Sequence, residues 1–281
     1  MIVVGVVIFG AAIVGLVANR LLQPRIAAYN KEHGIGAVSG QVAVGAIFAP
    51  VATLTVFFLG FALLTGSQSY SQAKLAIGSE AAVVDNIFET AAYLDEPFKR
   101  RLQRSAVCYA RAVAGPEWKS MGTGSSELSP VPSNWTGGKH NGIRKAFKDM
   151  GTDAPLFTTL LAADAKRGDS RRDRLAQASP KLPNVVFVFL LAGIALGLCF
   201  LAVASPRSSP MHITALSIAA VVLFAAVFLI RSLDRPYTGA LALKPIAMQT
   251  TADQDSEDFI AEYGKIRVRC DQDGNPTGSG S

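Results

Sequence analysis

Asp253, Asp255, Glu257 and Asp258 crowd one short stretch near the carboxyl end, and Asp271, Asp273 and Asn275 surround Gly274 a little further on. Oxygen-rich runs of this kind can hold calcium, but a calcium loop alternates its ligands and closes on a bidentate Glu, and neither run has that order. The first reads instead as a helix amino terminus, where the helix dipole favours negative charge. Softer metals lack ligands too: Cys108, Cys199 and Cys270 are scattered with no C-x-x-C pair, and His33, His140 and His212 stand apart from other ligand types. The three cysteines are expected to be free thiols. Gly122-Thr123-Gly124-Ser125-Ser126 has neither the following Gly-Lys nor the preceding strand of a phosphate loop. With no nucleophile and base in view, the expectation is a protein without catalytic residues, metal or cofactor.

Charge offers more. Glu80 stands among small residues, so a helix carrying it would bury a carboxylate unless an arginine pairs with it; Arg104 and Arg174 are the candidates. Such a pair serves more readily as glue between helices than as an ion site. Lys99, Arg100, Arg101, Arg104 and Arg111 form a basic band that reads as a solvated face or one resting on anionic headgroups, the alternative being a vestibule that draws anions. Asp234 and Arg235 beside Pro236 are placed to cap a helix and turn the chain, with an anion gate as the alternative reading.

The elements that carry these groups are set by hydropathy. Between Glu32 and Lys74 there is no formally charged residue, and the apolar centre, 42–64, exceeds the roughly 20 residues a helix needs to cross hydrocarbon. Residues 2–18, 184–204 and 213–230 are three further spans, the first retained because no basic segment precedes it and no small-residue cleavage site follows. Gly5, Gly10 and Gly15 recur along it, and small residues let helices approach closely in lipid. Pro24 is expected to end the first helix and Pro50 to kink the second. Over the 281 residues, 50% hydrophobic and 17% charged with mean hydropathy +0.31, part of the chain is lipid-solvated and part is not. The net charge of +6 has its ordinary source in basic residues flanking spans, and no nucleic-acid recognition module is visible.

Between the second and third spans the periodicity is that of water-exposed helices. An amphipathic helix is expected over 71–94, burying Leu75, Val83, Val84, Ile87, Phe88 and Ala91. Asp95-Glu96-Pro97 stops it and starts the next, 98–114, which Gly115-Pro116 closes. A mobile loop over 122–142 follows, then helices near 143–150 and 155–178. A last helix lies near 253–263, and Gly278-Ser279-Gly280-Ser281 reads as an appended linker.

These elements define an all-α membrane protein: four transmembrane helices in two hairpins (1–66 and 184–231), a helical domain inserted between them (67–183) and a carboxyl-terminal segment (232–277). Four spans place both ends and the insert on one side. Lys74, Arg171, Arg172, Arg174, Lys181, Arg231, Arg235 and Lys244 outnumber Arg20, Arg25 and Lys31 on the opposite loop, which places the insert in the cytoplasm beneath a plasma membrane. Unpaired cysteines agree with a reducing compartment.

Ser79-Glu80-Ala81, then Tyr109 and Glu117-Trp118, then Arg171 through Arg174 before Leu182-Pro183, and Leu233-Asp234-Arg235-Pro236-Tyr237-Thr238-Gly239 after the last span, occur in an order and spacing that resembles the bestrophin-like domain family of bacteria and plants over residues 2–245. The chain is more distantly similar to bestrophins, pentameric chloride-permeable channels whose second span lines a neck with apolar side chains one helical turn apart. The resemblance implies a homo-oligomeric channel for small anions in a lipid bilayer, with Thr53, Phe57 and Phe61, at i, i+4 and i+8, as pore-lining candidates. Thr53 departs from the apolar pattern, and helix packing or lipid contact is the plainer role for all three. Glu80, Arg104, Arg174, Asp234 and Arg235 are the charged candidates near a vestibule or a helix interface. The alternative, from a different class, is a membrane-anchored scaffold or accessory subunit whose helical domain docks a protein partner.

Overall fold

In hydrocarbon a backbone amide finds no water, so a long apolar run is stable only with its hydrogen bonds closed within the segment, as a helix. The computed structural model describes residues 1–32, 37–123, 129–137, 142–204, 210–264 and 268–277, apart from the side chains at 30, 37–47 and 204. The chain forms α1 (Ile2–Glu32), α2 (Ala37–Ala91), α3 (Phe98–Ala112), a π-helical turn (Val113–Glu117), α4 (Trp118–Gly122), α5 (Val131–Thr136), α6 (Ile143–Met150), α7 (Phe157–Ala176), α8 (Asn184–Ala204), α9 (Pro210–Leu233) and α10 (Ile246–Tyr263). By length and composition α1, α2, α8 and α9 can cross a membrane. Among the described residues there is no strand, only an isolated bridge between Cys270 and Pro276. His33, His140, the Gly124-Ser125-Ser126 segment, most of the link between the third and fourth spans and the four terminal residues lie outside the described residues, as do the side chains of 42–47.

Several boundaries differ from the sequence expectation. Pro24 does not end α1, which continues to Glu32. A proline removes one bond, here the one to the Arg20 carbonyl, and this end of the helix is held to α8 by Asn19 Nδ2 donating to the Ala202 carbonyl (2.5 Å) and Gln23 Nε2 to that of Val203 (3.2 Å). The expected break near residue 67 is absent as well. α2 runs unbroken for 55 residues, about 80 Å at 1.5 Å per residue. Its composition changes from apolar to polar at Ser67-Gln68-Ser69, but nothing there forbids helical backbone, so the surroundings change while the helix does not.

Two units cluster by contact: Met1–Gln68 with Pro180–Asp234, and Ser69–Ser179 with Arg235–Ser281. The first has a core of Val4, Ile8 and Ala12 from α1, Leu190, Ile194, Leu198 and Ala202 from α8, and Leu216, Ala220, Val227 and Ile230 from α9, with Ala62 from α2. Gly15 sets the spacing of α1 and α8, because a Cβ there would lie 2.6 Å from the Ala202 Cβ and 3.0 Å from the Cys199 Cα. α2 meets α8 through Phe48 stacked on Phe200 (4.2 Å) and Phe58 edge-on to Phe189 (5.1 Å). Asp234 turns the chain after α9: its Oδ1 accepts the N–H groups of Lys181 and Leu182, each at 2.9 Å, and so holds the approach to α8.

In the second unit α3 is buried from Leu102 onward, against Ala81, Val84 and Phe88 of α2, Trp135 of α5, and Met248, Ala252 and Phe259 of α10. The buried row of α2 is Ala73, Ile77, Glu80, Ala81, Val84, Ile87, Phe88 and Ala91. Leu75, expected in that row, is 70% exposed, and Val83 is only half-buried. Gly115-Pro116 does not close α3; the chain passes through both in the π-helical turn and resumes as α4. Part of the expected 122–142 loop is α5, folded because Trp135 is buried and its Nε1 donates to the Gly274 carbonyl at 2.7 Å. α10 starts at Ile246, so the acidic run 253–258 lies in mid-helix and not at an amino terminus.

The cysteine expectation is corrected outright. Cys108 and Cys270 form a disulfide, Cα atoms 5.8 Å apart, across 162 residues of sequence, and Cys199 is the free thiol. Spacing could not reveal this pair, because only the return of residues 268–277 over α3 brings the two together. The cysteines therefore cease to argue for a reducing compartment.

Candidate functional site

Four charged side chains and a tyrosine converge inside the second unit. Glu80 comes from α2, Tyr109 from α3, Glu117 from the end of the π-helical turn, and Arg171 and Arg174 from successive positions on one face of α7. Glu80, Glu117 and Arg174 are wholly buried. Arg174 is the hub: Nε donates to Glu80 Oε2 at 2.5 Å and Nη2 to Glu80 Oε1 at 3.4 Å, while Nη2 also reaches Glu117 Oε1. The Tyr109 hydroxyl donates to Glu80 Oε1 at 2.6 Å, and Arg171 holds Glu117 through Nη2 (2.6 Å) and Nε (3.3 Å). Two carboxylates and two guanidiniums balance, so the cluster carries no net charge. Ser79 Oγ beside Ser170 Oγ (3.0 Å) adds a further α2 to α7 contact, and Trp118 lies under the Arg174 guanidinium at 5.9 Å.

The electrostatics follow from this packing. Burial alone would raise the Glu117 carboxyl, but the charges and hydrogen bonds of Arg174 and Arg171 outweigh it and hold the group below its ordinary value. Burial would likewise lower Arg174, yet Glu80 and Glu117 push it above the usual guanidinium range. Burial and then the Glu80 charge raise the Tyr109 hydroxyl, which stays a neutral donor. A cluster whose charges are mutually satisfied this way is a fastener for α2, α3, the π-helical turn and α7, with every carboxylate engaged.

Of the two arginines offered to Glu80, Arg174 reaches it and Arg104 does not. Arg104 has an unpartnered buried Nε, and burial followed by Arg269, Arg100 and Arg101 pushes its pKa down to about 10. The remaining basic band is engaged: Lys99 with Glu262, Arg101 with Asp149 at 2.5 Å, Arg111 with Ser256 at 2.6 Å. Asp234 is buried with Arg231 4.0 Å away, whereas Arg235 is exposed. Thr53, Phe57 and Phe61 share one exposed face of α2, Phe57 at 66% and Phe61 at 52%, and the Thr53 hydroxyl donates to the Ala49 carbonyl at 2.9 Å.

Two features had little or no sequence signal. Glu117 stands in the Glu117-Trp118 motif, but its arginine partners lie 54 and 57 residues away. Asp255, one of the acidic run, is 2% exposed, and burial followed by the neighbouring Asp85 carboxylate pushes it up to about 8. Asp271 is occupied in its own turn, accepting the N–H groups of Asp273 (2.9 Å) and Asn275 (2.8 Å). Among the described residues no three His, Cys, Asp or Glu side chains are grouped to hold a metal.

Four helices long and apolar enough to cross a membrane, and a second helical unit that buries an acid and arginine cluster, define a class of multi-span helical membrane protein. The chain belongs to the Bestrophin-like domain family, whose sequence model matches residues 6–248, and with that membership it is a channel-like membrane protein. No curated protein matches the sequence. Among solved structures, a bacterial bestrophin homologue from Klebsiella pneumoniae is similar at 13% identity and TM-score 0.63, covering 92% of this chain and 100% of the homologue. A point variant of that homologue gives 12% identity and TM-score 0.65, with 92% and 98% covered. At this identity the likeness speaks for the fold.

Proposed function

We propose that this chain assembles around an axis as a homo-oligomeric channel for small anions such as chloride, with α2 of each subunit bordering the pore. The observation that carries the reading is the bareness of α2: 6% of its most apolar stretch is buried, against 28%, 28% and 22% for α1, α8 and α9. A lone four-span unit has no central pathway, so conduction requires copies around an axis. Thr53, Phe57 and Phe61 then form a narrow apolar ring that gates by dewetting. The Thr53 hydroxyl suits such a ring because it is bonded to its own helix.

In this reading α1 with α2, and α8 with α9, are consecutive spans that cross a plasma membrane in opposite directions as two hairpins, with α1 packed on α8. The second unit lies in the cytoplasm, supported by the excess of basic residues flanking the spans on its side. The test is anion flux into liposomes containing the purified chain, with Phe57→Ala and Phe61→Ala beside it. Widening the constriction raises flux; equal flux in all three proteins takes both residues out of the gate.

A further inference from the structure

We propose that the Cys108–Cys270 bond is a reversible latch, opened by a cellular dithiol, that holds residues 268–277 as a strap against the π-helical turn supplying Glu117 to the buried cluster. The proposal rests on the cytoplasmic placement given above, since a disulfide in a reducing compartment persists only as one side of an exchange equilibrium.

The strap touches the turn directly. Gly274, at φ +73°, packs on Ala112 so closely that a Cβ would lie 2.6 Å from the Ala112 Cα. A Cβ on Gly115, within the turn, would lie 2.7 Å from Asp273 Oδ1. Two residues on, Glu117 enters its ion pairs with Arg171 and Arg174.

Apart from the disulfide, the polar contacts that tie the strap to the rest of the chain among the described residues are few. Trp135 Nε1 donates to the Gly274 carbonyl at 2.7 Å, Lys119 pairs with Asp273 at 3.3 Å on the surface, and Arg111 Nη1 reaches the Asp271 carbonyl at 3.5 Å. Residues 269, 271, 272, 273, 275 and 277 are exposed, so besides Cys270 the strap brings only Val268 and part of Pro276 as apolar surface against the core. A segment of that kind is seated by its covalent bond and lifts when the bond opens.

The chemistry balances. A thiolate of the dithiol attacks the Cys270 sulfur, the less buried of the two at 6% against 0%, and Cys108 departs as thiolate and takes a proton. The second thiol of the reductant then displaces Cys270 and closes its own disulfide. Two electrons and two protons pass from the dithiol to the two cysteines.

The test is hydrogen exchange, followed by mass spectrometry, on the full chain in detergent before and after dithiothreitol and again after oxidised glutathione. Reduction is expected to speed exchange of the 268–277 amides by about tenfold and that of Val113–Glu117 measurably, with recovery on reoxidation. Cys270→Ser exchanges fast with or without reductant, and Cys199→Ser behaves as the parent. A strap equally protected in the reduced protein overturns the latch.

Placement is read separately. Asp153→Cys in a Cys199→Ser background is exposed to a membrane-impermeant maleimide on intact cells. No labelling until the cells are opened supports the placement on which the latch depends. Labelling from outside overturns placement and latch together, whereas no outside labelling with an indifferent strap overturns the latch alone.

Discussion

Arg174 has no route to water, and one guanidinium serves both Glu80 and Glu117. Arg174→Met therefore leaves the buried Glu80 carboxylate without a cation and Glu117 with Arg171 alone. The expected loss is about 3–5 kcal/mol, read as a drop on the order of 10 °C in thermal unfolding of the detergent-solubilised protein. Arg171→Met, where the side chain is 23% exposed and Arg174 still covers Glu117, costs less. Equal midpoints for Arg174→Met and the parent would mean the cluster fastens nothing. The sequence exposed half of this site: a carboxylate among small residues asks for an arginine, which nominated Arg174, but Glu117 offered no such contrast because its turn is hidden behind Gly115-Pro116. Asp255 behaves oppositely to Glu117. Its folded pKa of about 8 exceeds the unfolded value of about 4, so its contribution to stability is complete below the unfolded value and is lost as pH rises through 8. The groups facing it are acidic, Asp85, Asp258 and Glu89. The melting midpoint should fall between pH 5.5 and 8.5, and Asp255→Asn should flatten that fall and raise the midpoint at pH 8.5. An undiminished fall in Asp255→Asn assigns the dependence elsewhere. Glu117, held low by its arginines, loses its contribution at the other end, as pH drops through its folded value.

Helix packing separates glycines that look equivalent in sequence. Gly5, Gly10 and Gly15 recur at a fixed interval, yet a Cβ on Gly10 meets nothing within 4 Å while one on Gly15 strikes both Ala202 and the Cys199 backbone. Gly15→Leu should force α1 from α8 and destabilise by at least the roughly 1–3 kcal/mol typical of overpacking; Gly10→Leu should leave the protein unchanged. Denaturant resistance in mixed micelles measures both, and equal sensitivity would show that α1 and α8 do not meet at Gly15. The same distinction explains what was legible at this scale. The third and fourth spans, the Asp95-Glu96-Pro97 break and the 143–150 helix follow from local composition, and the structure places them within a few residues, whereas the first and second spans lie inside helices that run on to Glu32 and Ala91. The continuity of α2 and the π-helical turn were hidden because a change to polar composition, or a Gly-Pro pair, ends many helices, and nothing local marks the ones that continue. The disulfide and α5 were hidden because both depend on residues 268–277 returning from far along the chain.

Across the whole molecule, identity of 12–13% over nine-tenths of the chain accompanies TM-scores above 0.6. Hydropathy pattern and helix length thus suffice to keep this fold while nearly every residue changes, as expected where lipid and not a particular partner solvates most of the apolar surface. What such a pattern leaves open is which bare face meets water. The exposed side of α2 has two available neighbours, acyl chains or an axial pathway shared with other copies, and they differ in one accessible property. A thiol ionises and reacts with a charged methanethiosulfonate in water but not in hydrocarbon. In a Cys199→Ser background, Thr53→Cys, Phe57→Cys and Phe61→Cys should each be modified by the anionic ethylsulfonate reagent in liposomes, with a fall in anion flux as negative charge enters the ring. Met211→Cys at the start of α9, 84% exposed, supplies a span-end control whose modification leaves flux unchanged. If the three α2 positions stay unmodified while the protein is oligomeric, the face rests on lipid or on dry protein, and conduction along α2 is ruled out.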